Sequence, residues 1–365
     1  MGTAPAIHHL HPSALPRGKV KALSAAANGI IEFIADNGAD ADAVLRQVGI
    51  RENDVRKDTE FLELGSYCEL LELAARTTAN DNFGLHYGRN FTPDRLGPIG
   101  EGLATSPTTG CSLLNLARYF PYHQQNTRTT FRKIGEFWHL EYRILDGFIV
   151  GRRQDAELTM GMYLNIVRKV VGFRWSPDEV HFEHPRPECG EEHETIFGAP
   201  AYFNMPANAL VFRDADLSDR TAGWYQTKMR SLCEALTQLT CDTGKLDLTR
   251  RVAGEIRAQL PMGYPHIEII ADTLGMTRWT LQRRLSDDGQ IFSNLVDDVR
   301  RRLALLYLSQ AHLRINDIAG FLGYSELSAF SRACARWFDA PPSKVRTRLC
   351  TTEAEAAAWS SRRVN

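Results

Sequence analysis

The sequence predicts two folded units in series: an α+β unit over residues 20–215 and an all-α unit over 246–350. A linker over 216–245 joins them, and a flexible tail over 1–19 and a polar tail over 351–365 bound them. Three observations carry this reading. The apolar period of the first unit switches from helical to alternating and back, a short pattern repeats inside the second, and charge is divided unevenly between the two. The 365 residues are 43% hydrophobic and 24% charged, ordinary values for a folded chain with room for two cores.

Along the first unit, Ile30, Ile31 and Ile34 mark an opening helix from about Val20 to Ala35. "ADAVLRQVGI" reads as a second helix ending at Gly49, and Leu62, Leu70, Leu71 and Leu73 mark a third within "EFLELGSYCELLELAARTT". "PTTGCSLLNLARYF" is a fourth, begun by Thr108 or Thr109 and stopped before Pro121. The period then becomes two. Thr127–Lys133 and Phe137–Leu145 are expected to be antiparallel strands turning at Gly135-Glu136. Leu158, Met162, Ile166 and Val170 restore helical spacing, and "DEVHFEHPRP" and "ALVFRDADL" are short strands. This order is not the strict alternation of a parallel βαβ sheet. "DLSDRTAGWYQTKMRSLCEALTQLT" supplies a connecting helix near Trp224–Leu239 that would transmit a change or serve in dimerisation. The closing "TTEAEAAAWSSRRVN" is a loose helix or disordered.

Net charge is −1, yet residues 275–350 carry twelve Lys/Arg against seven Asp/Glu, a net +5 that leaves −6 on the rest. A basic C-terminal block on an acidic body points to a polyanionic partner. The seven cysteines are widely spaced with no CxxC, which argues against a disulfide framework or zinc ribbon and for a reducing cytoplasm. No run of eighteen apolar residues exists and the N-terminus does not read as a secretory signal, so no membrane partner is expected.

The repeat pairs "IADTLGMT" from Ile270 with "IAGFLGYS" from Ile318, in register 48 residues apart. Each window reads as a helix ending at glycine, a turn, and a hydroxyl residue able to cap the next helix, which is a helix-turn-helix corner. In the first unit Leu281 and Leu285 share one face of the second helix, so Trp279, Gln282 and Arg283 take the other. In the second unit, after a one-residue shift past Tyr324, Phe330, Cys334 and Trp337 or Phe338 go inward. Leu327, Ser328, Ser331 and Arg332 then face out. A helix bearing arginine, glutamine and an apolar ring suits the DNA major groove, where guanine, adenine and the thymine methyl ask for those groups; each arginine could equally meet phosphate or stay a solvated charge. Between the units Leu295, Val299, Leu303 and Leu306 mark a helix of about 17 residues, roughly 25 Å long. That is the scale needed to set two reading helices near the ~34 Å repeat of the groove. Arg300, Arg301 and Arg302 on it are phosphate contacts or a solvated face.

On these residues the stretch Leu246–Arg348 resembles the AraC/XylS transcriptional regulators, through "IADTLGMTRWTLQRRLSDDGQIFSNLVDDVRRRLALLYL" and "INDIAGFLGYSELSAFSRACARWFDAPPSKVR". The aromatic pair Trp337–Phe338 and the turn at Pro341–Pro342 match the family's closing signature. The resemblance implies that Arg278, Trp279, Gln282 and Arg283 line one groove and Leu327, Ser328, Ser331 and Arg332 the next. Leu327 stands where the family often has a polar residue, which suits a second helix that clamps the backbone. "FGLHYG", "LGPIGEGLATSPTTGCSLLNLARYF", and "HFEHPRP" followed by "IFGAPAYFNMPANALVF" are similar to the arabinose-binding-type sensor domain of ornithine-utilisation regulators, a label that identifies no ligand. It implies an effector-binding, self-associating α+β domain in a cytoplasmic activator. The partners implied are promoter DNA, a small metabolite, RNA polymerase and a second copy of the chain.

Three other readings compete, one of them a purely architectural DNA binder, which would leave the large mixed domain unnecessary and predicts no response to any metabolite. His181, His184, Cys189 and His193 fall within thirteen residues and could ligate a metal, although the spacing fits no standard site. An N-terminal enzyme would need a motif, and GxxxxGK, GxGxxG after a strand, GxSxG and HExxH are all missing, so neither catalysis nor a cofactor is expected. Phe137, Trp138, Tyr142 and Arg153 are the effector-pocket candidates, an aromatic strand with an arginine able to hold a carboxylate or an amine-bearing metabolite; core packing is the alternative.

Overall fold

The computed structural model describes residues 21–56, 61–96, 98–104, 106, 108–213 and 246–361. The connecting helix expected near Trp224–Leu239 lies outside these. The chain opens with β1 (Lys21–Leu23), a 3-10 turn and α1 (Ile30–Asp36), followed by α2 (Ala41–Gln47) and α3 (Glu52–Val55). Next come β2 (Phe61–Glu63), α4 (Leu64–Thr77), α5 (Phe83–Arg89), α6 (Pro98–Ala104) and α7 (Thr109–His123). The hairpin β3 (Thr127–Ile134) and β4 (Phe137–Ile144) leads into α8 (Arg153–Val171), β5 (Glu179–His181), α9 (Glu191–Phe197), β6 (Ala201–Tyr202) and β7 (Asn208–Arg213). The helical portion comprises α10 (Leu248–Gln259), α11 (Ile267–Thr273), α12 (Arg278–Asp287), α13 (Phe292–Ser309), α14 (Ile315–Phe321), α15 (Leu327–Phe338) and α16 (Pro342–Ser361).

A five-stranded sheet of order β3-β4-β7-β5-β6 is antiparallel except for β5 beside β6. Along β4 the residues Leu140, Tyr142 and Ile144 are buried alternately, as period two demands. That face is covered by α8, whose Tyr163 hydroxyl meets Thr129 of β3 at 2.7 Å. On its other side α8 touches α5 at backbone distance. A methyl at Gly84 would collide with the Gln154 backbone, and one at Gly88 with the Leu158 backbone. The two glycines of "FGLHYG" are therefore one helical turn of missing side chain, and only their absence allows the crossing.

Two expectations are corrected here. The opening helix starts ten residues late, at Ile30, because residues 21–23 pair antiparallel with Phe61–Glu63, and the third helix gives up the same partner residues. Short distant pairing has overridden local propensity. The fourth helix, capped by Thr108 as expected, does not stop before Pro121 but runs through it to His123. Phe120 and His123, both buried, anchor that last turn, and the lost backbone hydrogen bond falls only two residues from the helix end. The closing segment is helical to Ser361.

The mixed portion hides ionisable groups. His123 is buried and held neutral, its pKa pushed by desolvation down to about 4. His184, buried near Arg153, is likewise lowered to about 4 by desolvation. Asp155 is raised to about 6 by burial, although the Tyr142 hydroxyl donates to it at 2.5 Å and Gln124 at 2.9 Å. Between pH 6.5 and 4 the unfolded chain protonates two histidines that the fold keeps neutral, so stability falls on acidification. Asp155 acts oppositely, because the folded state takes up its proton first. Removing one such histidine removes about 3 kcal/mol of that acid loss. Urea unfolding of His123→Gln should therefore show a shallower fall in stability from pH 6.5 to 4 than the unsubstituted chain, and an equally steep one would contradict the assignment.

Candidate nucleic-acid interface

The second hydrophobic core belongs to the helical portion. In α11 the buried Ile270 and Ala271, and in α14 the buried Ile318 and Ala319, sit at matching positions of the repeat. Each helix ends at a left-handed glycine, Gly275 at φ 69° and Gly323 at φ 71°. Thr277 then caps α12 by accepting the Thr280 N–H at 3.2 Å. The second unit differs. Ser325 does not cap, α15 starts at Leu327 after Glu326, and this is the one-residue shift its apolar pattern requires.

Leu281 and Leu285 are fully buried under α12, which turns Trp279, Gln282 and Arg283 to solvent. The Trp279 ring is 65% exposed, far from a core ring, with the Arg283 guanidinium lying over it at 4.7 Å. Arg278 is also exposed but is paired with Glu268 at 2.6 Å. On α15 Phe330 and Cys334 are buried, Trp337 and Phe338 are both half-buried, and the Cys334 thiol is pushed by burial up to about 12. Leu327, Ser328 and Arg332 are exposed and Ser331 is partly so. Neither Arg283 nor Arg332 has a carboxylate partner among the described residues.

The long helix α13 joins the two units over 18 residues, roughly 27 Å at the helical rise. Leu295, Val299 and Leu303 are buried as expected, whereas Leu306 is half-exposed and the stripe continues at the buried Tyr307, one turn on from Leu303. The arginine run is corrected most sharply. Arg300 is buried, donates to Leu322 O at 2.8 Å and Gly323 O at 2.9 Å, and stacks on the Tyr324 ring at 4.2 Å. It satisfies the carbonyls left open at the end of α14 and is not free for phosphate. Arg301 and Arg302 are tied to Asp298. Asp297 accepts from Trp337 Nε1 and Arg336, each at 2.8 Å, pinning α15 to the same helix. Sequence reasoning missed this set; the only signal was Asp297-Asp298 placed within one turn of Arg300–Arg302.

The mixed portion is docked against α10. Asp146 accepts from Arg250 at 2.6 Å, and Glu255 accepts from Arg128 and Arg143, each at 3.3 Å. Gly147 and Gly254 meet backbone to backbone, with Gly147 N–H donating to Arg250 O at 3.2 Å. The four effector-pocket candidates are not brought together. Phe137 lies beneath Arg213, Trp138 stacks on Phe131 at 4.5 Å, and Tyr142 is buried against Asp155. Arg153 is committed to Glu157, Asp81 and Asn82. Of the proposed metal ligands only His184 and His193 come together, on Glu157 at 3.5 and 2.9 Å. His181 contacts Glu179, His184 Nδ1 donates to Pro185 O, His193 contacts Glu157, and Cys189 is exposed. Among the described residues no group of three such side chains could hold a metal ion.

An α+β domain followed by helix-turn-helix helices with a cationic, indole-bearing outer face defines a DNA-binding transcription regulator. The family model described as the arabinose-binding domain of AraC transcription regulator matches residues 38–220, and a helix-turn-helix domain model matches 270–348. The chain belongs to the AraC family of transcription regulators, with an effector-binding N-terminal domain. Similar proteins include the HTH-type transcriptional regulator VirS of Mycobacterium tuberculosis, 27% identical over 87% of this chain and 94% of VirS. The ornithine utilization regulator of Pseudomonas aeruginosa is 24% identical over 88% of this chain and 94% of its own. The crystal structure of the regulator CdpR from Pseudomonas aeruginosa covers 88% of this chain and 98% of its own at 19% identity and a TM-score of 0.41, a loose overlap. Among the described residues no helix is long and apolar enough to cross a membrane.

Replacing Arg300 by Met should strand two carbonyls and cost on the order of 3 kcal/mol in urea unfolding. Amide exchange should rise over residues 315–338 before it rises over 267–287; equal rises in both would refute its role as a local clamp.

Proposed function

We propose that this chain is a non-enzymatic, cytoplasmic activator that reads a promoter through two adjacent major grooves in response to a small metabolite. Arg278, Trp279, Gln282 and Arg283 enter one groove, and Arg278 leaves Glu268 to do so. Leu327, Ser328, Ser331 and Arg332 enter the next, where the apolar Leu327 makes the second helix more clamp than reader. RNA polymerase and a second copy of the chain are its protein partners. The observation that carries this is the outward Trp279 under Arg283, since an indole left 65% exposed with a cation over it has no role in the core. Such a face offers a guanidinium for guanine and an apolar plate for the thymine methyl.

The test is Arg283→Ala on a genomic fragment selected by the unsubstituted chain. The expected loss is about 1–3 kcal/mol with relaxed preference at one base position. If Arg283 meets phosphate, the loss is uniform across sequences and the salt slope falls by about one. Affinity unchanged on both counts would show that α12 does not face DNA.

A further inference from the structure

Between the docked portions lies a cleft of about 400 Å³, within the range of small-molecule sites. Its walls come from both sides: α4 and the approach to α8 on one, Arg257 of α10 and the end of α13 on the other. Four arginines and four carboxylates line it. Two of each are already spent on one another. Arg152 is bound to Glu183 at 2.6 Å, and Arg153 to Asp81 at 2.8 Å. What remains is Arg257 and Arg76 against Glu72 and Glu188.

Arg257 is the informative residue. It is only 8% exposed, yet among the described residues it has no carboxylate within ion-pair distance. Its Nη1 donates to Ile149 O at 3.0 Å and Val150 O at 3.1 Å, which fixes the guanidinium without neutralising it. Burial and the neighbouring Arg152 charge together pull its pKa down to about 10, so an anion arriving there is rewarded. Glu183, already bound to Arg152, and Glu72 both lie within electrostatic reach of Arg257, and Glu72 is itself raised by burial, so it gains from a cation nearby. A doubly charged anion would be repelled by the carboxylates of the same cleft.

We infer that the interdomain cleft binds a small zwitterion, with its carboxylate on Arg257 and its ammonium toward Glu72. This rests on the effector-responsive reading above and assigns it a place and a ligand class. Because one anchor belongs to α10 and the other to α4, occupancy bridges the DNA-binding helices and the mixed domain. The ligand therefore biases how the two are held, and binding of ligand and DNA must be reciprocally coupled.

The experiment uses the full chain in a thermal-shift series. The probes are the twenty standard L-amino acids at millimolar concentration, with hexanoate and hexylamine as one-charge controls and inorganic phosphate as a dianion. At least one amino acid should raise the melting temperature by several degrees while all three controls leave it unmoved. Arg257→Gln should abolish that rise. Glu72→Gln, a milder change should Arg257→Gln fold poorly, should reduce it at least fivefold in apparent affinity. The same amino acid should alter affinity for a selected DNA fragment at least fivefold. The inference is overturned if no amino acid shifts the transition, if hexanoate or phosphate does so equally, or if the shift survives in both variants. DNA binding that persists through those failures leaves the regulator reading standing, and its loss in every condition sinks that reading separately.

Discussion

Arg300 reaches from the middle of α13 to carbonyls 22 and 23 residues further on, and the placement of α15 depends on that reach. Two helix-turn-helix corners can address one side of a DNA duplex only if their separation and relative rotation are set. Here a single helix of about 27 Å sets the distance. The rotation is set where Arg300 closes the end of α14 and where Asp297 grips Trp337 and Arg336 of α15. Buried guanidinium is costly to desolvate, so it is tolerated where its hydrogen bonds and its ring partners Tyr324 and Tyr264 are all in place. In the first corner α12 is held by the buried Leu281 and Leu285, as α15 is by Phe330 and Cys334.

The parts of the molecule that follow from periodicity were legible in the sequence. Leucines four apart on α12 dictate where Trp279 points, alternation dictates the β3–β4 hairpin, and the repeat dictates two corners. The parts that follow from distant partners were not. Nothing local marks Lys21–Leu23 as a strand, since its partner lies forty residues on. Nothing in three consecutive arginines says which turns inward; that is decided by the carbonyls of α14, an element not yet formed in any local reading. Of the effector candidates only Arg153 lines the cleft between the two portions, for the same reason. An aromatic strand is visible in a sequence, whereas a cleft assembled from Glu72, Arg152 and Arg257 exists only once the two portions are docked.

That docking uses small and charged residues in a particular way. Gly147 and Gly254 let α10 lie on the end of the β3–β4 hairpin at backbone distance, Glu255 collects Arg128 and Arg143 from across the seam, and Asp146 takes Arg250. Phe148 and Val150 pack into the helical core beside these ion pairs, so the seam is both apolar and charged. A sensor domain joined to its DNA-binding helices through such a seam is mechanically suited to pass on a small electrostatic event at the cleft beside it.

The most direct measurement is dimethyl-sulfate protection on a bound genomic fragment, which reports guanine N7 in the major groove. The account expects two protected clusters on one face of the duplex, about ten base pairs apart, with the cluster under α12 lost in Trp279→Ala and Arg283→Ala. A single cluster, clusters on opposite faces, or protection indifferent to both substitutions would contradict it.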